Sequence, residues 1–326
     1  MIRISKRRTC SRGSRLWMGL VVAGCVRAPR DAPQQPSELA AVIQRTWDWN
    51  DPAASEARFR NLAGKTTQPD RAQLETQIAR ALGLQGRFSD ALAVLDALEP
   101  HLDSYPAVVR VRWLLERGRC LRSSGSAPAA QPLFLEAWAR ARTSGLDPLA
   151  IDAAHMVALT MDRAEALAWN RRALELAETS ADPLARRWRT SIHNNLGWTY
   201  HDAGDYDQAL ASFERALESS RELGDPEVTR IAEWSIGRAL RSQARYSEAL
   251  AIQRRLEAQQ MPVTDGYVLE EIAENLLALG QADQARPYFG KAFTLLSADH
   301  DLTVSEPARI ERLHHLGGTA NEDHDD

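Results

Sequence analysis

The chain has 326 residues, enough for one large domain, two ordinary ones or one helical solenoid. It is 44% hydrophobic and 26% charged, and its patterned segments are rich in Ala, Leu, Arg and Glu without strand-like runs of Val, Ile and Thr, which favours helices. Residues 1–24 hold six of the 40 basic residues and no acidic one, so the remainder carries 34 basic against 44 acidic residues, a net charge of −10 that speaks against a general nucleic-acid binder.

The basic start (Arg3, Lys6, Arg7, Arg8, Arg12, Arg15) runs into a short apolar stretch, Leu16–Gly24, that is too short for a bilayer-spanning helix of about 20 residues. A charged start, an apolar core and small residues before a cut describe an export signal over residues 1–24. Its ending, Val22-Ala23-Gly24-Cys25, resembles the lipobox of bacterial lipoproteins. That resemblance implies lipid attachment to the Cys25 thiol and membrane anchoring in the cell envelope. Val26 stands in place of an inner-membrane retention Asp, pointing to the outer membrane facing the periplasm. The alternatives are an uncleaved anchor or a start at Met18. Arg7-Arg8 fits a twin-arginine signal poorly, because Cys10 falls where a large apolar residue belongs. Residues 25–36, with three prolines, read as a semi-extended tether. In the mature chain Cys120 stands alone on a predicted helix, so neither a disulfide framework nor a cysteine metal site is expected.

From residue 37 onward, helix pairs follow one another. Ser37–Asp48 and Pro52–Leu62 form a degenerate pair. The next are Gln73–Leu98, turning at Gly86, and Val108–Arg142, with a loose turn over S-S-G-S-A-P-A-A. Leu149–Ala177 departs most, with a turn cut to about Met161–Arg163 and Asn170 where an aromatic is usual. Asp-Pro at 51–52, 147–148, 182–183 and 225–226 marks helix starts, since Asp caps free N–H groups and Pro suits the first helical position.

The most regular stretch is Ser191–Leu217, S-I-H-N-N-L-G-W-T-Y-H-D-A-G-D-Y-D-Q-A-L-A-S-F-E-R-A-L. Two helical patterns meet at a turn over Ala203, Gly204 and Asp205. Gly197 lets the partner helix approach, while Tyr200 and Phe213 fill the gaps. Residues Arg230–Gln259 and Tyr267–Leu296 repeat the design, and Pro132 and Pro287 are placed in the first turns of second helices. A last helix over Glu306–Leu316 reads as a cap, followed by a disordered acidic tail. The second-helix alanine recurs at Ala91, Ala130, Ala166, Ala209, Ala249 and Ala285.

The order and spacing of Leu196, Gly197, Tyr200, Ala209, Phe213 and Ala216 resemble a tetratricopeptide repeat. The resemblance covers roughly 37–300, with 301–326 left as cap and tail, and the intervals of 36–43 residues exceed the usual period of about 34. It implies an all-α, right-handed superhelical solenoid of antiparallel helix pairs, with a concave groove lined by first helices.

Carried over residue by residue, the resemblance places Asn194, Asn195, Trp198, His201 and Asp202 in that groove. Arg80, Arg112, Glu116, Arg119, Arg122, Asp152 and His155 come from earlier repeats; Trp234, Arg238, Arg241, Glu270, Glu271 and Glu274 come from later ones. The groove would then be arginine-rich early and again at the sixth repeat, and acidic near its end. Arg pairs with carboxylates through two parallel bonds. An Asn before a Leu-Gly pair, here Asn195, holds a peptide backbone in repeats of the kinesin-light-chain type. Plainer roles compete: surface arginine, tryptophans packed between repeats, and His155 and His193 in the core.

No phosphate loop, G-x-S-x-G, H-E-x-x-H or paired C-x-x-C occurs, so a non-enzymatic protein without cofactor or metal is expected. The leading reading is an envelope-tethered scaffold that binds another protein or peptide and no nucleic acid. The alternatives are an envelope enzyme or ligand sensor using Asp152, His155, His201 and Asp202, and a passive spacer.

Overall fold

The computed structural model describes residues 38–259 and 265–318. The signal, Cys25, the tether and the tail from residue 319 lie outside the described residues. Among the described residues every regular element is helical, and no helix is long and apolar enough to cross a membrane. The chain divides into two compact units, with residues 181–183 grouped with the first and the main boundary after Leu149.

The first unit runs from α1 (Glu38–Thr46) and α2 (Pro52–Ala63) through α3 (Asp70–Leu84) and α4 (Phe88–Leu98) to α5 (Ala107–Ser123) and α6 (Ala127–Thr143). A 3-10 segment, Glu99–Ser104, joins α4 to α5. Asp51 caps α2 by accepting the Ala54 N–H at 2.9 Å, as its Asp-Pro signal predicts. Trp47 and Trp49 stack 4.3 Å apart near the start, and the Trp47 ring meets Phe59 edge-on. The α5–α6 turn is tight, not loose: Gly125 takes φ 95° and α6 begins at Ala127. Pro132 is therefore the sixth residue of α6 and lies inside the helix, beyond the first turn. The helix starts earlier than expected because Ala127-Pro128 already fits an opening turn.

The second unit takes up α7 (Asp147–Ala158) from Ala150 and continues through α8 (Arg163–Thr179), α9 (Pro183–His201) and α10 (Tyr206–Leu223). Then come α11 (Pro226–Ser242), α12 (Tyr246–Ala258), α13 (Gly266–Ala278), α14 (Ala282–Leu296), a short α15 (His300–Ser305) and α16 (Pro307–Gly317). Asp162, Asp205, Asp225 and Asp265 each accept backbone N–H groups as N-caps. Pro287, like Pro132, is an interior sixth residue, in α14.

One spacing recurs in the six pairs from α3–α4 to α13–α14. A small residue on the first helix faces a residue sixteen places later on the second: Gly118 faces Phe134, and Gly197 faces Phe213. Both rings are fully buried, and a β-carbon on either glycine would fall 2.4 Å from the ring. The backbones can approach closely only because glycine offers no side chain there. The same spacing gives Ala79 with Leu95, Ala154 with Asn170, Gly237 with Gln253 and Ala273 with Phe289. All twelve residues are buried.

Candidate functional site: the first-helix face of the second unit

The polar residues of the first helices are set by the same small residue. Within the first unit, Arg80, one place after Ala79, donates to Glu116, two places before Gly118, at 3.3 Å. Within the second, His155 (one after Ala154) meets Asn195 (two before Gly197), with Nδ1 and Nδ2 3.0 Å apart. Arg238 (one after Gly237) pairs with Glu271 (two before Ala273) at 3.3 Å. These links form polar rungs between the first helices of consecutive pairs.

At Trp198 the register changes. An indole now follows the small residue, and Ser235, at the partner position, donates instead to Asn194 Oδ1 at 3.3 Å and to the Ile231 carbonyl at 2.9 Å. The buried Trp198 Nε1 has no hydrogen-bond acceptor. Its ring lies 5.1 Å from Phe213, 5.3 Å from His201 and 5.8 Å from Trp234. Trp234 is 6.2 Å from Tyr267 and donates its Nε1–H to the Tyr267 carbonyl at 3.3 Å, and the Arg309 guanidinium stands 5.4 Å from the Tyr267 ring centre. An aromatic row thus runs from α9 through α11 to α13, closed by the Arg309 guanidinium of α16.

Beside that row lies a polar cluster. His201 Nε2 is 2.9 Å from Ser242 Oγ, which also accepts from Arg238 Nη1 at 2.8 Å. Arg241 forks onto both Glu271 oxygens at 2.7 and 3.0 Å, so two guanidiniums share one buried carboxylate. Burial opposes the charge on both arginines. At Arg238 it prevails and lowers the pKa; at Arg241 burial is again the largest single influence, but the charge and hydrogen bond of Glu271 together with Glu274 and Glu270 outweigh it and raise the pKa.

The expected separation into a basic stretch and an acidic end is not what the side chains form. Glu271 is taken by Arg238 and Arg241 from α11, while Glu270 and Glu274 are taken by Arg309 and Arg312 from α16. The charges interleave because the repeat brings oppositely charged positions 30 to 39 residues apart on successive helices face to face.

The individual placements differ. Asn194 is buried between α9 and α11, a packing position and not an open one. Asn195, Trp198, Trp234, Arg238, Arg241 and His201 are half-buried, and Asp202 is exposed. In the first unit Arg119 pairs with Glu116, and Arg122 is half-buried one turn on. The suggested Asp152, His155, His201 and Asp202 constellation is not drawn together by these bonds: His155 is held by Asn195 and His201 by Ser242, six residues along α9 or about 9 Å of helical rise. Among the described residues, no group of three or more His, Cys, Asp or Glu is placed to hold a metal ion.

Ser235, Ser242, Tyr267, Arg309 and Arg312 were not anticipated as members of this face. For the two serines the signal is the offset: Ser235 follows Asn194, and Ser242 follows His201, by the same 41 residues.

This arrangement is an all-α fold of repeated antiparallel helix pairs, similar to tetratricopeptide-like solenoids. A tetratricopeptide repeat family model matches residues 188–259, the segment from α9 to just past α12. The fold is similar to that of NprR in complex with its cognate peptide NprX (16% identity, 87% of this chain and 84% of that one, TM-score 0.57). It is similar also to the apo form of RapI (12%, 87% and 81%, TM-score 0.64) and to a tetratricopeptide repeat protein from Parabacteroides merdae (17%, 86% and 98%, TM-score 0.51). No curated protein matches the sequence.

Proposed function

We propose that the protein is a non-catalytic scaffold that binds a protein or peptide on the first-helix face of the second unit. The observation that carries this reading is the cluster around Trp198. A buried indole N–H without an acceptor, a row of aromatic rings and two half-buried guanidiniums sharing one carboxylate meet on one face. An extended peptide supplies what such a face can take up: apolar side chains against the rings and negative charge for the guanidiniums. NprR, whose fold is similar, was solved with a peptide bound.

The test is selection from a displayed peptide library with wild type and with an Asn195→Ala, Arg238→Ala double variant whose helicity matches. Sequences enriched by wild type and lost by the variant support the assignment. Equal enrichment by both overturns it.

We also propose that the scaffold is held at the bacterial envelope through a lipid on Cys25, facing the periplasm from the outer membrane. The support is the sequence Val22-Ala23-Gly24-Cys25 after a basic and apolar leader. Metabolic labelling with a fatty acid should mark the wild type and not Cys25→Ala. Equal labelling of both rejects it.

A further inference from the structure

The sixth helix pair, α11–α12, departs from its neighbours at two independent places. The first is its turn. The residue seven places after the small residue takes a left-handed conformation in five pairs. Gly86, Gly125, Gly204 and Gly280 occupy it at φ 76°, 95°, 78° and 77°, whereas the sixth pair uses Ala244 at φ 59°. Alanine is strained there, because its β-carbon crowds the backbone.

The second is its core. Gln253 holds the position that Phe134, Phe213 and Phe289 fill in other pairs, and it is fully buried. Its Nε2 donates to the Trp234 carbonyl at 3.3 Å, and its Oε1 has no partner. The fully buried apolar side chains around it fall into two clusters, joined through the half-buried Ile252. Ala249 belongs to one cluster, with Phe213 and Ile236, and Leu256 to another, with Ile272 and Phe289. Gln253 lies about one turn from each along α12.

The same pair supplies Trp234, Arg238, Arg241 and Ser242, and these reach α9 on one side and α13 on the other. Polar and aromatic contacts on the first-helix face therefore hold α11 in place, over a core and a turn that support it less than those of the pairs on either side, which have Phe213 with Gly204 and Phe289 with Gly280.

We propose that α11–α12 is the yielding pair of the second unit: it opens locally ahead of its neighbours, and occupancy of the first-helix face selects its closed form. A ligand that touches Trp198 and Arg238 touches both sides of this joint, so its binding energy is coupled to closure. The coupling rests on the binding reading; the opening does not, and it is measured without a ligand.

Amide hydrogen exchange on the full chain tests it. Peptides from 226–258 should exchange at least about tenfold faster than those from α10 and from α13–α14. The Ala244→Gly, Gln253→Phe double variant should slow exchange in 226–258 by about tenfold and leave α10 little changed. Ala244→Gly alone should act in the same direction by a few-fold, and Gln253→Leu serves if the phenylalanine disturbs folding, since Leu95 fills that position in the second pair. Equal exchange across the three pairs in wild type, or no slowing in any variant, overturns the proposal.

Discussion

A β-carbon on Gly197 would lie 2.4 Å from the ring of Phe213, closer than any relaxed contact allows. Gly197→Ala therefore sets two effects against each other: a helix-propensity gain of about 1 kcal/mol and an overpacking cost of about 1–3 kcal/mol. Overpacking should win, because Phe213 is fully buried and has no open side to move into. The urea midpoint should fall, and Phe213→Leu in the same chain should recover part of the loss. A midpoint equal to or above wild type would show that the ring moves aside freely.

Trp198 and Trp234 offer a matched pair. Both are half-buried in one aromatic row, but Trp234 donates its indole N–H to the Tyr267 carbonyl while that of Trp198 has no acceptor. Trp→Phe removes the same atoms at each site. Trp234→Phe should therefore cost about 1 kcal/mol more than Trp198→Phe, the usual net worth of one hydrogen bond. Chemical denaturation of the two variants gives the difference directly, and equal losses would rule out a role for the Trp234 bond.

Glu271 is nearly fully buried and serves two arginines, each about one-fifth exposed. Glu271→Gln leaves two guanidiniums facing an amide. It should destabilise by about 2–3 kcal/mol, below the 3–5 kcal/mol of a fully buried broken pair because solvent screens part of the charge. Arg241→Met should cost less, since Arg238 remains to pair with the carboxylate. Thermal melts at low salt distinguish the two, and a larger loss for Arg241→Met would contradict the shared-carboxylate arrangement.

His193 is buried on α9, and burial first, then the nearby Arg215 and Arg189, lowers its pKa from 6.5 to about 4. The unfolded chain then binds this proton more tightly than the folded one. The contribution of the neutral imidazole is complete above about pH 6.5 and is lost as the pH falls towards 4. The urea midpoint of wild type should drop across that window more steeply than that of His193→Gln. Parallel pH profiles would place the titration elsewhere.

The helix pairs and their register were legible in the sequence, because the small residue and its partner sixteen places later recur in six pairs. The prolines at 132 and 287 were assigned to first turns because a second helix can start anywhere that a loop composition stops, and Ala127 and Ala282 already belong to helix. The face was harder to see. Asn194 and Asn195 differ by about 100° around the helix, enough to bury one between α9 and α11 and leave the other half-open. The glutamates on α13 read as an acidic end of the groove in the sequence because their arginine partners stand 30 to 39 residues away along the chain.

The rungs make neighbouring pairs non-interchangeable. Each first helix carries a side chain that matches only its successor: His155 for Asn195, Arg238 for Glu271, Glu270 for Arg309. In an array of identical units any pair can be deleted and the ends rejoined. Here, deleting α11–α12 would leave Glu271 without either of its arginines and remove Ser235 and Ser242, which now engage Asn194 and His201. The linear order of the pairs is thus fixed by side-chain grammar as well as by the covalent chain.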